Sequence, residues 1–341
     1  MNDNSSEPGP EGAQPGEAGA LRRLAAAATG CLAALFGSVA QAQAQEPMRY
    51  RGLCDASAAV ALDAQHFVVA NDEDNILRVY RRGEPLPQAT LALAGFLGAD
   101  KESDLEGAAM IGQRIYWIAS HGRNASAKQR AERYRFFATE VDSARAPPLL
   151  RPVATAQATL LAQLIDAPSL QAWRLADAAR LAPEASGGLN IEGLADTAQG
   201  GLLIGFRNPL REGKALLAIL RNPAEMLDGA KADIGPAIAL DLGGRGVRSI
   251  ERIGSDYLLV AGPTADRGDF AVFRWSGQPG EAPRQIGGVA LGTLRPEALF
   301  AWPNSGTAQL LSDDGGVETG GVACKDRPEA ERSFRSIELR L

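Results

Sequence analysis

Glu106, Glu192 and Glu297 stand at one recurring position of this chain, a position that Ser57 and Arg248 fill in two further copies. A second recurring place holds polar clusters: Asn71-Asp72-Glu73-Asp74-Asn75, Ser120-His121-Gly122-Arg123-Asn124, Arg207-Asn208-Pro209, Gly262-Pro263-Thr264 and Ser312-Asp313-Asp314-Gly315. If the two sets meet, many carboxylates share one space with His121, Arg123, Arg207 and Arg248. Crowded carboxylates repel unless a cation, an arginine or a proton compensates them. Three solutions follow: a hard divalent cation such as Ca²⁺ or Mg²⁺, ion pairing with Arg248, Arg207 and Arg123, or a raised pKa that keeps one acid protonated.

Each solution implies a chemistry. Glu106, Glu192 and Glu297 are the metal-ligand candidates, and a bound divalent cation polarises a phosphoryl or carbonyl oxygen and acidifies bound water. His121 is then the candidate general base or acid, since His66 begins a strand, and Glu192 is the second catalytic candidate. Arg123 and Arg207 suit bidentate hydrogen bonds to a small anionic ligand, with Asn208, Arg248, Asp72 and Asp313 as further binding candidates. Against this stands a structural reading, in which the arginines only pair the acids and His121 caps a loop.

Other motifs are weak. Asp72-Glu73-Asp74-Asn75 lacks the glycine and distal glutamate of an EF-hand loop and reads as a solvated turn. Gly243-Gly244-Arg245-Gly246 does not lead from a strand into a helix, as a dinucleotide site requires. The chain has no HExxH, CxxC or GxSxG, and its two histidines exclude a histidine-rich metal centre.

The elements that must position these residues are short strands in a repeat of about fifty residues. After each opener comes an apolar run, at His66 to Ala70, Ile115 to Ala119, Leu202 to Phe206, Tyr257 to Ala261 and Ala308 to Leu311. Third strands are expected at Ile76 to Tyr80, Tyr134 to Val141, Ala215 to Leu220, Phe270 to Trp275 and Phe334 to Leu339. Successive openers lie 49, 86, 56 and 49 residues apart. Such spacing predicts an all-β protein, a β-propeller of five blades with six as the alternative.

In an antiparallel meander the start of the first strand and the end of the second share an edge, so openers and clusters converge on one mouth. The long 86-residue interval holds leucines at helix spacing and predicts an αα insertion over about 152–184. Ring closure needs its two ends paired, and Met48 to Leu53 can supply the last blade's missing outer strand.

The first 44 residues read as an extension and signal peptide. Arg22-Arg23 precedes a weakly apolar run from Leu24 to Ala40, then Ala40-Gln41-Ala42 and Ala42-Gln43-Ala44 suit a signal peptidase. Thr29-Gly30-Cys31 resembles part of a lipobox, but the apolar run continues past Cys31. Periplasmic or secreted location follows, with residues 45–341 as a single propeller domain and no transmembrane segment in the mature chain. Export leaves Cys54 and Cys324, which a ring brings together, and a disulfide across the closure is expected. The formal charge of −6 and pI near 5.2 exclude a nucleic-acid surface, which needs a basic stripe.

Several ordered motifs carry a family resemblance: Asp55-Ala56-Ser57-Ala58, Asp104-Leu105-Glu106-Gly107, Asn190-Ile191-Glu192-Gly193-Leu194, Gly205-Phe206-Arg207-Asn208-Pro209-Leu210 and Gly246-Val247-Arg248-Ser249-Ile250, with three of the polar clusters above. From about Cys54 onward the chain resembles the bacterial domain-of-unknown-function 3616 family, a resemblance that implies no reaction. More distantly, the Glu-Gly openers at Glu106 and Glu192 are similar to those of phytase-like esterase and gluconolactonase-type propellers. That resemblance implies a divalent metal on an opener glutamate, and Glu297 departs from it with Ala298. The expected function is an exported, divalent-metal-assisted hydrolase of a phosphoester or lactone. The alternative is a non-catalytic propeller that binds a small anion, glycan or protein partner.

Overall fold

The computed structural model describes residues 46–265 and 267–341, and the export segment read at residues 1–44 lies outside the described residues. Strand β1 (Met48–Arg51) precedes the first blade, β2 (Ala56–Ala61), β3 (His66–Asn71), β4 (Ile76–Arg81) and β5 (Ala89–Ala92). Blade two is β6 (Leu105–Ile111), β7 (Arg114–Ala119), β8 (Phe136–Asp142) and β9 (Leu149–Gln157). The third is β10 (Asn190–Asp196), β11 (Leu202–Asn208), β12 (Ala215–Leu220) and β13 (Ile238–Leu240). The fourth is β14 (Gly246–Ile253), β15 (Asp256–Gly262), β16 (Ala271–Trp275) and β17 (Arg284–Gln285). The last holds β18 (Pro296–Ala301) and β19 (Thr307–Ser312); a small ladder, β20 (Glu318–Thr319) with β21 (Val322–Ala323), intervenes before β22 (Ser333–Arg340).

These strands make five four-stranded antiparallel sheets, the five-blade arrangement expected from the repeat. The inner strands β2, β6, β10, β14 and β18 adjoin one another in sequence, and β18 meets β2 to close the ring. Closure follows from β1, which pairs with β22 from Met48 against Ser336 to Arg51 against Ser333. The last sheet therefore contains strands from both ends of the domain, in the order β1-β22-β19-β18.

Side chains reinforce that seam. Tyr50 of β1 and Phe334 of β22 stack at 5.4 Å, and Tyr50 meets Phe67 and Tyr80 of the first blade edge-on. Phe300 stacks on Phe67 at 5.1 Å from the other side. Buried aromatic pairs of this kind add to the gain from apolar area. The expected Cys54–Cys324 disulfide is present and ties residues 270 apart in sequence.

Each inner strand carries one β-bulge, and the extra residue is the opener. The registers shift between Ala56 and Ala58, Leu105 and Gly107, Ile191 and Gly193, Val247 and Ser249, and Pro296 and Ala298. A bulge bends its strand and re-aims the unpaired side chain, here Ser57, Glu106, Glu192, Arg248 and Glu297. The neighbouring residues keep their apolar faces against the adjacent blades. Gly246 is fixed by a close approach, since a Cβ there would lie 1.9 Å from the Arg207 carbonyl oxygen.

The insertion differs from the expected αα hairpin over 152–184. Residues 152–157 continue β9 as the outer strand of the second blade. That edge strand is buried on neither face consistently, so no apolar alternation marks it. The helical part is a seven-residue helix, Leu160–Asp166, a 3₁₀ segment, Pro168–Trp173, and one turn, Leu175–Ala178. Leu160, Leu164, Leu170, Trp173 and Leu175 join Leu202, Ile204 and Leu216 of the third blade in one apolar cluster.

The seam yields a prediction. Replacing both Cys54 and Cys324 by serine should lower unfolding free energy by about 2–5 kcal/mol. Denaturant unfolding of both proteins with and without reductant checks it: the wild type should lose the same amount on reduction, and the double variant nothing.

Candidate functional site

Around the axis of the ring lies a cavity of about 300 Å³. Glu106, Glu192, Arg248 and Glu297 line it, together with Asp72, Arg207 and Asp313 from the expected clusters. Among the described residues its lining holds nine carboxylates and five arginine or lysine side chains, a formal excess of four negative charges. Openers and second-strand ends do meet at one mouth.

The charges divide into two walls. On one, Glu192 is 2% exposed and accepts Arg207 Nη1 at 3.1 Å and Asn190 Nδ2 at 2.7 Å. Its second oxygen faces Arg248 Nε at 2.9 Å, as an ion pair without hydrogen-bond alignment. Arg248 also pairs with Glu297 through Nη2 and lies over the Phe270 ring at 5.6 Å. Arg207 is held further by the carbonyls of Pro263 and Ala265 and by Glu184 at 3.5 Å. Burial pulls the Arg248 guanidinium below its ordinary pKa against the attraction of Glu192. The carboxylates of this wall are compensated by arginine.

The other wall is not. One oxygen each from Asp72, Asp104 and Glu106 lies within 4.8 Å of the others. Glu106 is 7% exposed, and its carboxylate has no hydrogen bond or ion pair among the described residues. Asp72 Oδ1 is buried without a hydrogen-bond partner. Only Asp104 is paired, to Arg133 Nη1 at 2.8 Å. Burial, then the charges of Glu192, Asp104 and Asp72, push Glu106 well above the usual carboxylate range. Burial and the neighbouring acids, Asp55 foremost, do the same to Asp72. Burial raises Asp104 to about 6 against the pull of Arg133.

A third pair adjoins them. Asp55 and Asp313 face each other across a single β-bridge, and burial with their mutual hydrogen bond raises Asp55 to about 8. Gly315 makes room for Asp55, since a Cβ there would fall 1.5 Å from Asp55 Oδ1.

Several predicted residues lie elsewhere. His121 is fully buried outside the cavity lining, with Nδ1 2.8 Å from the Ala119 carbonyl and its ring edge against Tyr134. Burial, aided by the Arg135 charge, lowers it to about 4, so it is neutral at ordinary pH. Arg123 donates to the carbonyls of Ala179 and Ala127. Asn208 Nδ2 donates to the Pro183 and Ala185 carbonyls and so fixes the segment that carries Glu184. Asp74 pairs with Arg78 and Asp314 with Arg335, away from the mouth. Ser57 donates to the Leu105 carbonyl at 2.6 Å and joins the first two inner strands.

Asp55, Asp104, Asn190 and Arg295, which sequence reasoning passed over, all line the cavity. Each stands two residues before its opener, and Gly246 occupies the same place in the fourth blade. That second recurring position is the signal that finds them. Where Arg207 backbone fills the space, the position is glycine.

Two expectations follow from the charge balance. Arg248→Met removes the shared partner of Glu192 and Glu297 and should cost about 3–5 kcal/mol of stability in denaturant unfolding at neutral pH. Asp104 and Asp55 have folded pKa values raised above their unfolded ones, so the native state holds their protons longer. Their contribution is greatest below the ordinary carboxylate range and is lost as pH rises through about 6 and then about 8. Melting temperature in chelator-treated buffer should therefore fall across that window, and Asp55→Asn should flatten its upper half.

Comparison with known proteins supplies the remaining findings. No curated protein matches the chain in sequence. Among solved structures, it is similar to glutaminyl cyclase of Myxococcus xanthus, at 13% identity and a TM-score of 0.42, over 86% of this chain and 95% of that one. It is also similar to a GH43_1 enzyme from Xanthomonas citri, at 11% identity and a TM-score of 0.44, over 86% and 91%. A third is the PQQ-bound form of aldose sugar dehydrogenase from Streptomyces coelicolor, at 11% identity and a TM-score of 0.40, over 86% and 99%. Residues 137–289, the span that contains Glu192, Arg207 and Arg248, match the family described as "Protein of unknown function (DUF3616)", and over that span the resemblance carried by the ordered motifs is borne out.

Proposed function

We propose that the mouth binds a hard divalent cation, Ca²⁺ or a similar ion, and that the protein is an exported, cation-assisted hydrolase of a phosphoester or lactone. The observation that supports this most is the Glu106 carboxylate, buried without hydrogen bond or ion pair beside Asp72 and Asp104. Three acids with one arginine leave an excess of negative charge that a cation, or protons, must balance. All-oxygen donors suit a hard cation.

The two walls divide the work. Asp72, Asp104 and Glu106 would hold the ion, whose chemistry is to polarise a substrate oxygen and acidify water. Glu192 and Glu297, expected as further ligands, are engaged by arginines and serve to hold Arg207 and Arg248 at the mouth. A metal set of Glu106, Glu192 and Glu297 would require breaking those pairs. Protonated Asp55 can donate a proton to a leaving group, a task that buried His121 cannot perform where it stands.

Export is supported by the Cys54–Cys324 disulfide, a bond of oxidising compartments. Among the described residues no helix is long and apolar enough to cross a membrane. The non-catalytic reading, in which the same mouth binds a small anion, glycan or protein partner, draws on one observation: the expected histidine base lies outside the cavity.

Elemental analysis, calorimetric titration with Ca²⁺ and Mn²⁺, and phosphomonoester, phosphodiester and lactone assays with and without chelator separate the two. Stoichiometric binding with chelator-sensitive turnover is expected. Glu106→Gln should weaken binding at least tenfold, as the loss of an ionised ligand near a divalent charge. Glu192→Gln should chiefly destabilise the fold, and Glu338→Gln, on the third strand of the last blade and away from the mouth, should do neither. A protein that takes up no ion and turns over nothing would eliminate the reading.

A further inference from the structure

A second cavity, of about 480 Å³, lies between the helical insertion and the second blade, on residues that take no part in the mouth. Leu161 and Ile165 of the insertion and the Tyr134 ring give it apolar walls. Arg123, Arg135 and Arg180 give it charge. Among the described residues no aspartate or glutamate lines it.

The state of those arginines distinguishes the cavity. Among the described residues the Arg123 side chain donates only to the carbonyls of Ala179 and Ala127. The Arg135 side chain donates, among the described residues, only to the carbonyls of Leu97, Ala131 and Tyr134. Arg180 is exposed, and its side chain has no hydrogen bond or ion pair among the described residues. Three guanidinium charges thus share one cavity with no carboxylate partner among the described residues, in a chain of net charge −6 whose other arginines are widely paired. Carbonyl bonds orient a guanidinium and leave its full charge in place. That field reaches His121, whose protonation Arg135 opposes.

We propose that this cavity binds a small anion with an apolar body, a medium-chain carboxylate, its headgroup among the three arginines and its chain against Leu161, Ile165 and Tyr134. The volume falls within the usual range for small-molecule sites. The apolar wall excludes a purely ionic ligand, and the missing counter-charge excludes a neutral one as the better fit. The insertion, on this reading, is one wall of a binding site as well as a packing element.

Isothermal titration of the full protein with decanoate, decanol and inorganic phosphate tests the proposal. Decanoate should bind one to one, with decanol and phosphate at least tenfold weaker. Arg180→Glu should weaken decanoate about tenfold or more, the loss of a charge-assisted bond. Its side chain is exposed and makes no internal bond, so the variant should fold; an unchanged melting temperature checks this. Glu106→Gln should leave decanoate binding intact, which keeps this outcome separate from that of the mouth. Equal binding of decanol and decanoate, undiminished binding by Arg180→Glu, or loss of binding in Glu106→Gln would each overturn the assignment. So would self-association through this face, seen as a concentration-dependent mass that Arg180→Glu abolishes.

Discussion

Charge compensation in a confined space governs this molecule. Five inner strands run beside one axis, and a bulge in each sends its extra side chain to the same place. A ring of identical glutamates there would be held apart by repulsion that the low-dielectric interior magnifies. The sequence breaks the symmetry. Arg248 takes one of the five positions and reaches the glutamates on both sides, while Ser57 takes another and spends its hydroxyl on backbone. The inner strands can then approach each other closely enough to bury their apolar faces.

Arginine is suited to that place for a geometric reason. Its planar fork serves two carboxylates at once, and its weak hydration lowers the cost of burial relative to an ammonium. Glu192 uses both oxygens on two arginines, so the fourth blade is coupled electrostatically to the third and the fifth. Such a network contributes to the definition of blade register more than to net stability, since desolvation consumes much of the attraction. The same accounting explains why the wall of Asp72, Asp104 and Glu106 stands out. It lies across the first and second blades, where Arg248 acts on Glu106 only through space and Arg133 pairs with Asp104 alone of the three, so the cost of burial outweighs the compensation.

The propeller was legible because its signals are local and repeated. Strand runs at His66, Leu202 and Ala215, polar ends after each second strand, and the outer strand near Met48 all follow from pattern and spacing. So does the cysteine pair. The start of the insertion is not legible in the sequence because β9 is an outer strand with no consistently buried face, so it carries no period-two hydrophobicity. Membership of a polar cluster points His121 to the mouth, and the structure turns it away. A single left-handed residue, at φ 53°, turns the chain there, and the imidazole ends between a backbone carbonyl and Tyr134. Cluster membership fixes which edge of a blade a residue reaches; it does not fix whether the side chain faces the axis.

The residues two places before each opener show the complementary limit. Asp55, Asp104, Asn190 and Arg295 are chemically unlike, so no shared residue type marks them as one position. Geometry makes them equivalent: each precedes a bulge on an inner strand, at the edge where the cavity begins. Their difference is informative for that reason. Carboxylates occupy the place in the first two blades, an amide in the third, nothing in the fourth and a guanidinium in the fifth. Passing around the ring, the rim goes from acidic to basic, in step with the openers, where Glu106 is unpaired and Arg248 is the hub. The fivefold scaffold thus presents a polar axis across its mouth, with the unpaired acids Asp72 and Glu106 on one side and the ion pairs of Arg207 and Arg248 on the other.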